Sequence, residues 1–428
     1  MLVVLAFIFC VSAFDAPLIT LPYVTLSGAY SDYYNITHYR QIPYGAPTSG
    51  VNRFRAPQPP AQINGTYDTN QTFSPCPQQD GTGSEDCLYL GVYSRPWVNG
   101  TDLRPVVVVF HGGAYVAGSG RLTFPPSGFA TLNVSTANDF VMVYTNYRLG
   151  AFGFLPGSAI KATADAALNP GLLDQQAALT WVQNNIALFG GDPANVTIFG
   201  QSAGGGSVIA QLIANGGRTT PKLFQRALPS SPYWVKTYQY NDPEAENLYS
   251  QFVNSTGCTG ASNVLACMRN LDFNSTLAAS NKVGQQWAPV IDGAFLQSTL
   301  SQAVGNQTVN ANFVWGMFNT HEGESFLDSS LRNPSGSPYN STEQGFDGWL
   351  AAFLPRFSAA QLQSVKDLYP SAGQTDTSNW NTTWERAGYV YRDSVISCPA
   401  YWLASRAQGA GWLEEYTNAP ALHVSFPR

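Results

Sequence analysis

The stretch Thr197–Ser207, TIFGQSAGGGS, constrains the fold more than any other part of the chain. An apolar run, Val196 to Phe199, meets Gly200 with no linker. Val208, Ile209, Leu212 and Ile213 then recur at helical spacing until Gly216-Gly217. The pattern is a strand, one tight turn and a helix. Inside the turn lies Gly200-Gln201-Ser202-Ala203-Gly204. Glycines on both sides of Ser202 avoid Cβ clashes where strand and helix crowd together, and the turn pushes the serine Oγ into the open at the helix N-terminus. The Ala203 N–H is then aimed where negative charge develops on an attacked carbonyl. A bare Gly-x-Ser-x-Gly match is weak; its position between strand and helix gives it weight.

Val106–Phe110 is a continuous, β-branched apolar run of the kind buried in parallel sheets. It ends in His111-Gly112-Gly113-Ala114, whose glycines let backbone N–H groups approach a substrate closely. An ordinary glycine-rich turn is the alternative reading. Phe140–Tyr144 and Asn312–Phe318 read as further strands. Leu172–Leu188 reads as a helix stopped by Gly190-Gly191, and another helix starts at Asp242-Pro243-Glu244. Strands alternating with helices predict an α/β protein: a central, mostly parallel sheet with helices on both faces and large insertions. No internal repeat or low-complexity linker divides the chain.

At 428 residues and 44 % hydrophobic content there is ample material for a large core. Charged residues make up only 11 % and the net charge is −6, with no Lys/Arg cluster, which argues against a nucleic-acid partner. The four histidines, His38, His111, His321 and His423, are scattered, and no Cys/His spacing suits a metal, so neither metal nor cofactor is expected. Residues 1–13 combine an apolar run with a small-residue cleavage site, Val11-Ser12-Ala13, and read as a signal peptide without its positive n-region. Eleven Asn-x-Ser/Thr sequons follow, the pattern of a secreted glycoprotein carrying N-glycans. No later segment approaches the length of a transmembrane span. Cys76 and Cys87, and likewise Cys258 and Cys267, could each close a small loop under oxidising conditions, which leaves Cys398 odd.

The stretch from Asn169-Pro170-Gly171-Leu172-Leu173-Asp174 through WVQNNIALFGGDPANVTIFGQSAGG closely resembles the type B carboxylesterases, the family that includes cholinesterases and fungal lipases. So do SEDCLYLGVY (Ser84–Tyr93), NYRLGAFGFL (Asn146–Leu155) and PVIDGAFL (Pro289–Leu296). The resemblance runs from about Tyr30 to the end. It implies an α/β-hydrolase domain over residues 14–428, disulfides Cys76–Cys87 and Cys258–Cys267, and a secreted carboxylic ester hydrolase acting on a small-molecule or lipid ester. It also implies a Ser-Glu-His acyl-enzyme mechanism with Ser202 as nucleophile and Glu322, in NTHEGESF, as the acid. His321 stands where the family usually has Asp. Glu324 and Asp292 are rivals for the acid, but Glu324 lacks the following Gly and Asp292 sits in a motif of its own. Gly113, Ala114 and Ala203 carry over as oxyanion donors, Ala114 replacing the family's usual Gly.

Two departures bear on substrate. The Cys76–Cys87 loop has no aromatic residue to bind a quaternary ammonium by cation–π contact. NKVGQQWA, before PVIDG, offers only Trp287. A cholinesterase is therefore not expected; a general carboxylesterase or lipase is. The base is the open point. By chain order His423 should be the triad base. By local pattern it should not, because the family's histidine is followed by Gly and then an acidic residue, whereas His423 is followed by Val424-Ser425-Phe426. WLEEYTNAPALHVSFPR resembles the strand and loop before that histidine. The expectation is accordingly that the base lies outside this chain, that the chain is truncated at its C-terminal part, and that Cys398 lacks its partner. A catalytically incomplete fragment, or a non-catalytic cholinesterase-like adhesion or binding protein, is the alternative to an active esterase.

Overall fold

The computed structural model of the chain describes residues 17–72, 74–120, 132, 140–284, 286–306, 309–371, 379–418 and 421–423. The expected signal segment, residues 1–13, lies outside the described residues. Among the described residues twelve strands form two sheets. In chain order they are β1 (Leu18–Leu21), β2 (Val24–Ser27), β3 (Ala29–Ser31), β4 (Ile36–Pro43), β5 (Thr66–Asp68), β6 (Tyr89–Ser94), β7 (Arg104–Phe110), β8 (Val141–Thr145), β9 (Gly191–Gln201), β10 (Arg226–Ser230), β11 (Phe313–Asn319) and β12 (Ala410–Tyr416). A three-stranded sheet orders β1-β2-β5. The nine-stranded central sheet orders β12-β11-β10-β9-β7-β8-β6-β4-β3.

The run β8, β7, β9, β10, β11, β12 is parallel throughout. β6, β4 and β3 extend it antiparallel at the other end. The mostly parallel sheet expected from the sequence is therefore present. All five residues of β8 are buried, so both its faces are covered, which is why its sequence does not alternate. β12 is the contrast. It is the outermost strand, six of its seven residues are exposed, and Trp412 is 62 % accessible.

Boundaries shift modestly from the sequence reading. The strand expected at Val196–Phe199 extends back to Gly191 across a register irregularity opposite Arg104 and Val106. The helix expected over Leu172–Leu188 begins at Pro170 and tightens into a 3-10 turn at Ile186–Phe189. The helix after Ser202 runs Ala203–Gly217, with a kink at Ala214, Asn215 and Gly216. Cys76 is bonded to Cys87 and Cys258 to Cys267. Cys398 is a free thiol, and burial raises its pKa. Among the described residues no helix is long and apolar enough to cross a membrane.

Two of the sequence motifs prove to be scaffold. Arg148, in NYRLG, grips Asp174 with Nε (2.8 Å), a terminal nitrogen (2.7 Å) and its backbone N–H (3.1 Å). Both side chains are buried, which ties the start of the Pro170–Asn185 helix to the loop after β8. Arg53 likewise forks onto Glu85 of SEDCLYLGVY at 2.7 and 2.5 Å. Removing one partner of such a pair strands a buried charge. Asp174→Asn should therefore destabilise the fold by about 3–5 kcal/mol, read as a lower denaturant midpoint; a midpoint equal to wild type would contradict this account.

Candidate active site

Ser202 sits between β9 and the Ala203–Gly217 helix with φ 58° and ψ −125°. That backbone conformation is costly for a residue with a Cβ, by about 1–3 kcal/mol. The surroundings enforce it. The Ser202 N–H donates to Ser230 O at 3.1 Å, and Ser202 O accepts from Tyr233 N–H and Gly206 N–H, both at 2.9 Å. The flanking glycines are required by contact: a Cβ on Gly200 would lie 2.2 Å from Gly204 O, and one on Gly204 would lie 2.1 Å from Phe110 O. Strand and helix are packed backbone to backbone at this turn.

The loop after β7 lies beside it. A Cβ on Gly112 would be 3.2 Å from the Ser202 Cβ. Gly113, Ala114 and Tyr115 all have positive φ, which turns the chain back over the serine. Among the described residues no acceptor takes the N–H of Gly113, Ala114 or Ala203, so three donors remain available near Ser202. His111 does not compete as a base. It stacks on Tyr147 with ring centroids 4.2 Å apart, pairs Nδ1 with Gly112 O at 2.9 Å, and is held neutral by burial, which lowers its pKa to about 4. The first disulfide loop braces this turn: Gln78 donates from Nε2 to Gly118 O (2.8 Å) and accepts the Gly118 N–H (2.7 Å).

Glu322 follows β11 and is fully buried. Its Oε1 accepts the Asn319 N–H at 2.7 Å. The following glycine is dictated by packing, because a Cβ on Gly323 would lie 1.9 Å from Gly388 O in the Thr383–Arg392 helix. The two rival acids are occupied elsewhere. Glu324 pairs with His321 Nδ1 at 3.1 Å. Asp292 is buried and accepts from Asn169 Nδ2 (2.6 Å), Ala294 N–H (2.7 Å) and Leu296 N–H (3.2 Å), a structural role.

His423 overturns the expectation that no imidazole of this chain reaches Ser202. Its Nδ1 lies 2.6 Å from Glu322 Oε2 and its Nε2 lies 2.8 Å from Ser202 Oγ. The carboxylate fixes the proton on Nδ1, leaving Nε2 as an acceptor for the serine hydroxyl. The sequence reading gave the residues after the histidine more weight than the chain order Ser, Glu, His. The geometry needs only the ring, and a loop beyond β12 delivers it. Phe326 also escaped sequence reasoning; its ring packs against the imidazole at 4.8 Å. Tyr233 and Tyr391 stack on Phe326 at 5.4 and 5.0 Å, forming an aromatic wall beside the imidazole. Trp287 belongs to the core, with its indole N–H donated to Ser280 O. Among the described residues no group of His, Cys, Asp and Glu is arranged to hold a metal.

Comparison with known proteins agrees with this architecture. The family model described as "Carboxylesterase family" matches residues 15–425. A secreted lipase of Arthroderma benhamiae is 30 % identical over 392 residues, spanning 86 % of this chain and 68 % of that one. A secreted triacylglycerol lipase of Gibberella zeae is 33 % identical over 293 residues, 62 % of this chain and 49 % of that protein. Carboxylesterase patB of Aspergillus clavatus is 32 % identical over 388 residues, 86 % of this chain and 66 % of that one. The alignments thus span half to two thirds of these relatives' own length. Among solved structures, EstA of Aspergillus niger superposes with a TM-score of 0.79 at 27 % identity, covering 92 % of this chain and 75 % of that one. A PNB esterase superposes with a TM-score of 0.76 at 26 % identity, covering 95 % and 82 %. The chain belongs to the carboxylesterase family, a family of carboxylic ester hydrolases with the α/β-hydrolase fold.

Proposed function

We propose that this protein is a secreted serine esterase that hydrolyses neutral carboxylic esters through an acyl-enzyme on Ser202. The observation that carries the reading is the single imidazole bridging Ser202 Oγ and Glu322 at 2.8 and 2.6 Å. Ser202 Oγ attacks the ester carbonyl carbon while His423 Nε2 takes the hydroxyl proton. Glu322 holds the Nδ1 proton and stabilises the imidazolium. The N–H groups of Gly113, Ala114 and Ala203 receive the oxyanion. The C–O bond to the alcohol breaks, and Nε2–H protonates the leaving alkoxide. A water then attacks the acyl carbon, gives its proton to Nε2 and releases the acid, with the proton returned to Ser202. The alternative of a non-catalytic binding protein fits less well with an imidazole in contact with both the serine hydroxyl and the buried carboxylate.

Substrate class is read from the surroundings. The aromatic wall of Phe326, Tyr233 and Tyr391 suits an apolar acyl or alcohol group. The matched relatives are named lipases and carboxylesterases. Secretion is supported by the N-terminal apolar run and by sequon exposure: all ten described sequon asparagines, each except Asn133, are exposed or half-buried.

Three outcomes are expected. Ser202→Ala and His423→Ala should each lower kcat for p-nitrophenyl acetate by roughly 10⁴-fold or more; His423→Ala retaining wild-type turnover would remove this histidine from the mechanism. Choline esters should show no advantage in kcat/KM over their neutral isosteres, because the Cys76–Cys87 loop has no aromatic ring to meet the cation. Protein recovered from the medium of a eukaryotic host should lack residues 1–13 and lose mass on treatment with an N-glycosidase; an intact N-terminus with no mass change would refute the secretory reading.

A further inference from the structure

The base reaches Ser202 from a loop, and loops do not hold a ring to a few tenths of an ångström unless something fixes them. The relevant contacts converge on one residue. Asn319 is the last residue of β11 and only 4 % accessible. In the parallel ladder it stands opposite Tyr416, the last residue of β12. The chain leaves the sheet there and returns to the site within seven residues. Asn319 Nδ2 donates to Leu422 O at 2.8 Å, the carbonyl immediately before His423. The Asn319 backbone N–H donates to Glu322 Oε1 at 2.7 Å, on the carboxylate that holds His423 through Oε2. One residue therefore grips both partners of the imidazole: the acid through its main chain and the base's loop through its side chain. A second strap, His321 N–H to Ala421 O at 3.0 Å, anchors the loop one residue earlier, where Ala421 is buried with φ 39°.

We propose that Asn319 is a positioning residue whose side-chain amide sets the register between His423 and Glu322. The proposal rests on the reading of Ser202, Glu322 and His423 given above. The backbone bond to Glu322 is available to any residue at 319, so side-chain substitution leaves it in place while removing the bond to Leu422 O. Asp has the shape of Asn but no N–H to donate, and its carboxylate would face the Leu422 carbonyl, acceptor to acceptor. The loop would then lose its tie at Leu422, and the ring would drift from the bond lines to Oγ and Oε2. Misplacement of about 1 Å costs on the order of 100-fold in rate.

The experiment compares wild type, Asn319→Asp and Asn319→Ala, with Thr320→Val as a neighbouring control that loses only the hydroxyl's contacts with Glu415 and Tyr416 O. With p-nitrophenyl butyrate, kcat should fall roughly 100-fold in both Asn319 variants while KM stays within about twofold, and Thr320→Val should stay near wild type. Carbethoxylation of His423 by diethyl pyrocarbonate, followed by mass spectrometry, supplies a readout independent of turnover. It should be slow in wild type, where both ring nitrogens are engaged, and about tenfold faster in the Asn319 variants. If wild type hydrolyses no ester, the esterase reading fails, and the His423 modification rate still decides the role of Asn319. Wild-type kcat in Asn319→Asp, or an unchanged modification rate at His423, overturns the proposal. A fall in kcat matched by an equal fall in Thr320→Val overturns it as well.

Discussion

The site depends on one close approach: the backbone of the Ala203–Gly217 helix lies against the ends of β7 and β9 with no side chain between. Gly204 sits where a single methyl would strike Phe110 O, and Gly200 where one would strike Gly204 O. That distance makes the turn at Ser202 sharp, and the sharpness sets its φ/ψ. It also brings the helix N-terminus, with its free N–H groups, beside the loop that leaves β7. A helix half an ångström further out would relax the serine and separate the donors. The strain is held by the bonds on either side of Ser202, to Ser230 and Tyr233, and by the sheet behind it.

Buried polar pairs account for motifs that contain no chemistry. Arg148 with Asp174 fixes a loop to a helix and Arg53 with Glu85 fixes one loop to another, each with fork geometry that only a guanidinium supplies. Asn169 and Asp292 perform the same task with neutral and charged oxygens, joining PVIDG to the start of the Pro170–Asn185 helix. Such residues make a family resemblance dense because a buried charge tolerates few substitutes. They report on fold, and chemistry has to be argued from the site itself.

The parallel sheet was legible because buried strands such as Val106–Phe110 write an unbroken apolar run. The turns that carry Ser202, Gly113 and Glu322 were legible because each is so tight that glycine must stand in or beside it, and glycines are visible in a sequence. His423 was not, for the same physical reason inverted. Its loop is held by backbone carbonyls at Ala421 and Leu422, and a carbonyl leaves no mark on the residue type that bears it. Its partners Asn319 and Phe326 were missed because nothing in their local spacing distinguishes them from the strand end and turn in which they lie. The start of β9 was missed because Asp192-Pro193-Ala194 reads as a loop while its backbone runs on beside Arg104.

β12 carries a consequence of its own. Among the described residues it is the last strand of the sheet, paired with β11, and Trp412 and Leu413 are exposed. Strands of this kind open with much less free energy than the sheet interior. His423 hangs directly beyond it, while Ser202 and Glu322 are rooted in the interior. A fraying β12 would pull on the seven-residue connection to His423, while the bonds from Asn319 and His321 at the end of β11 hold Leu422 and Ala421 in place. Edge fraying and displacement of the imidazole are then opposed at one short connection, and motion at the border of the sheet is damped before it reaches Ser202.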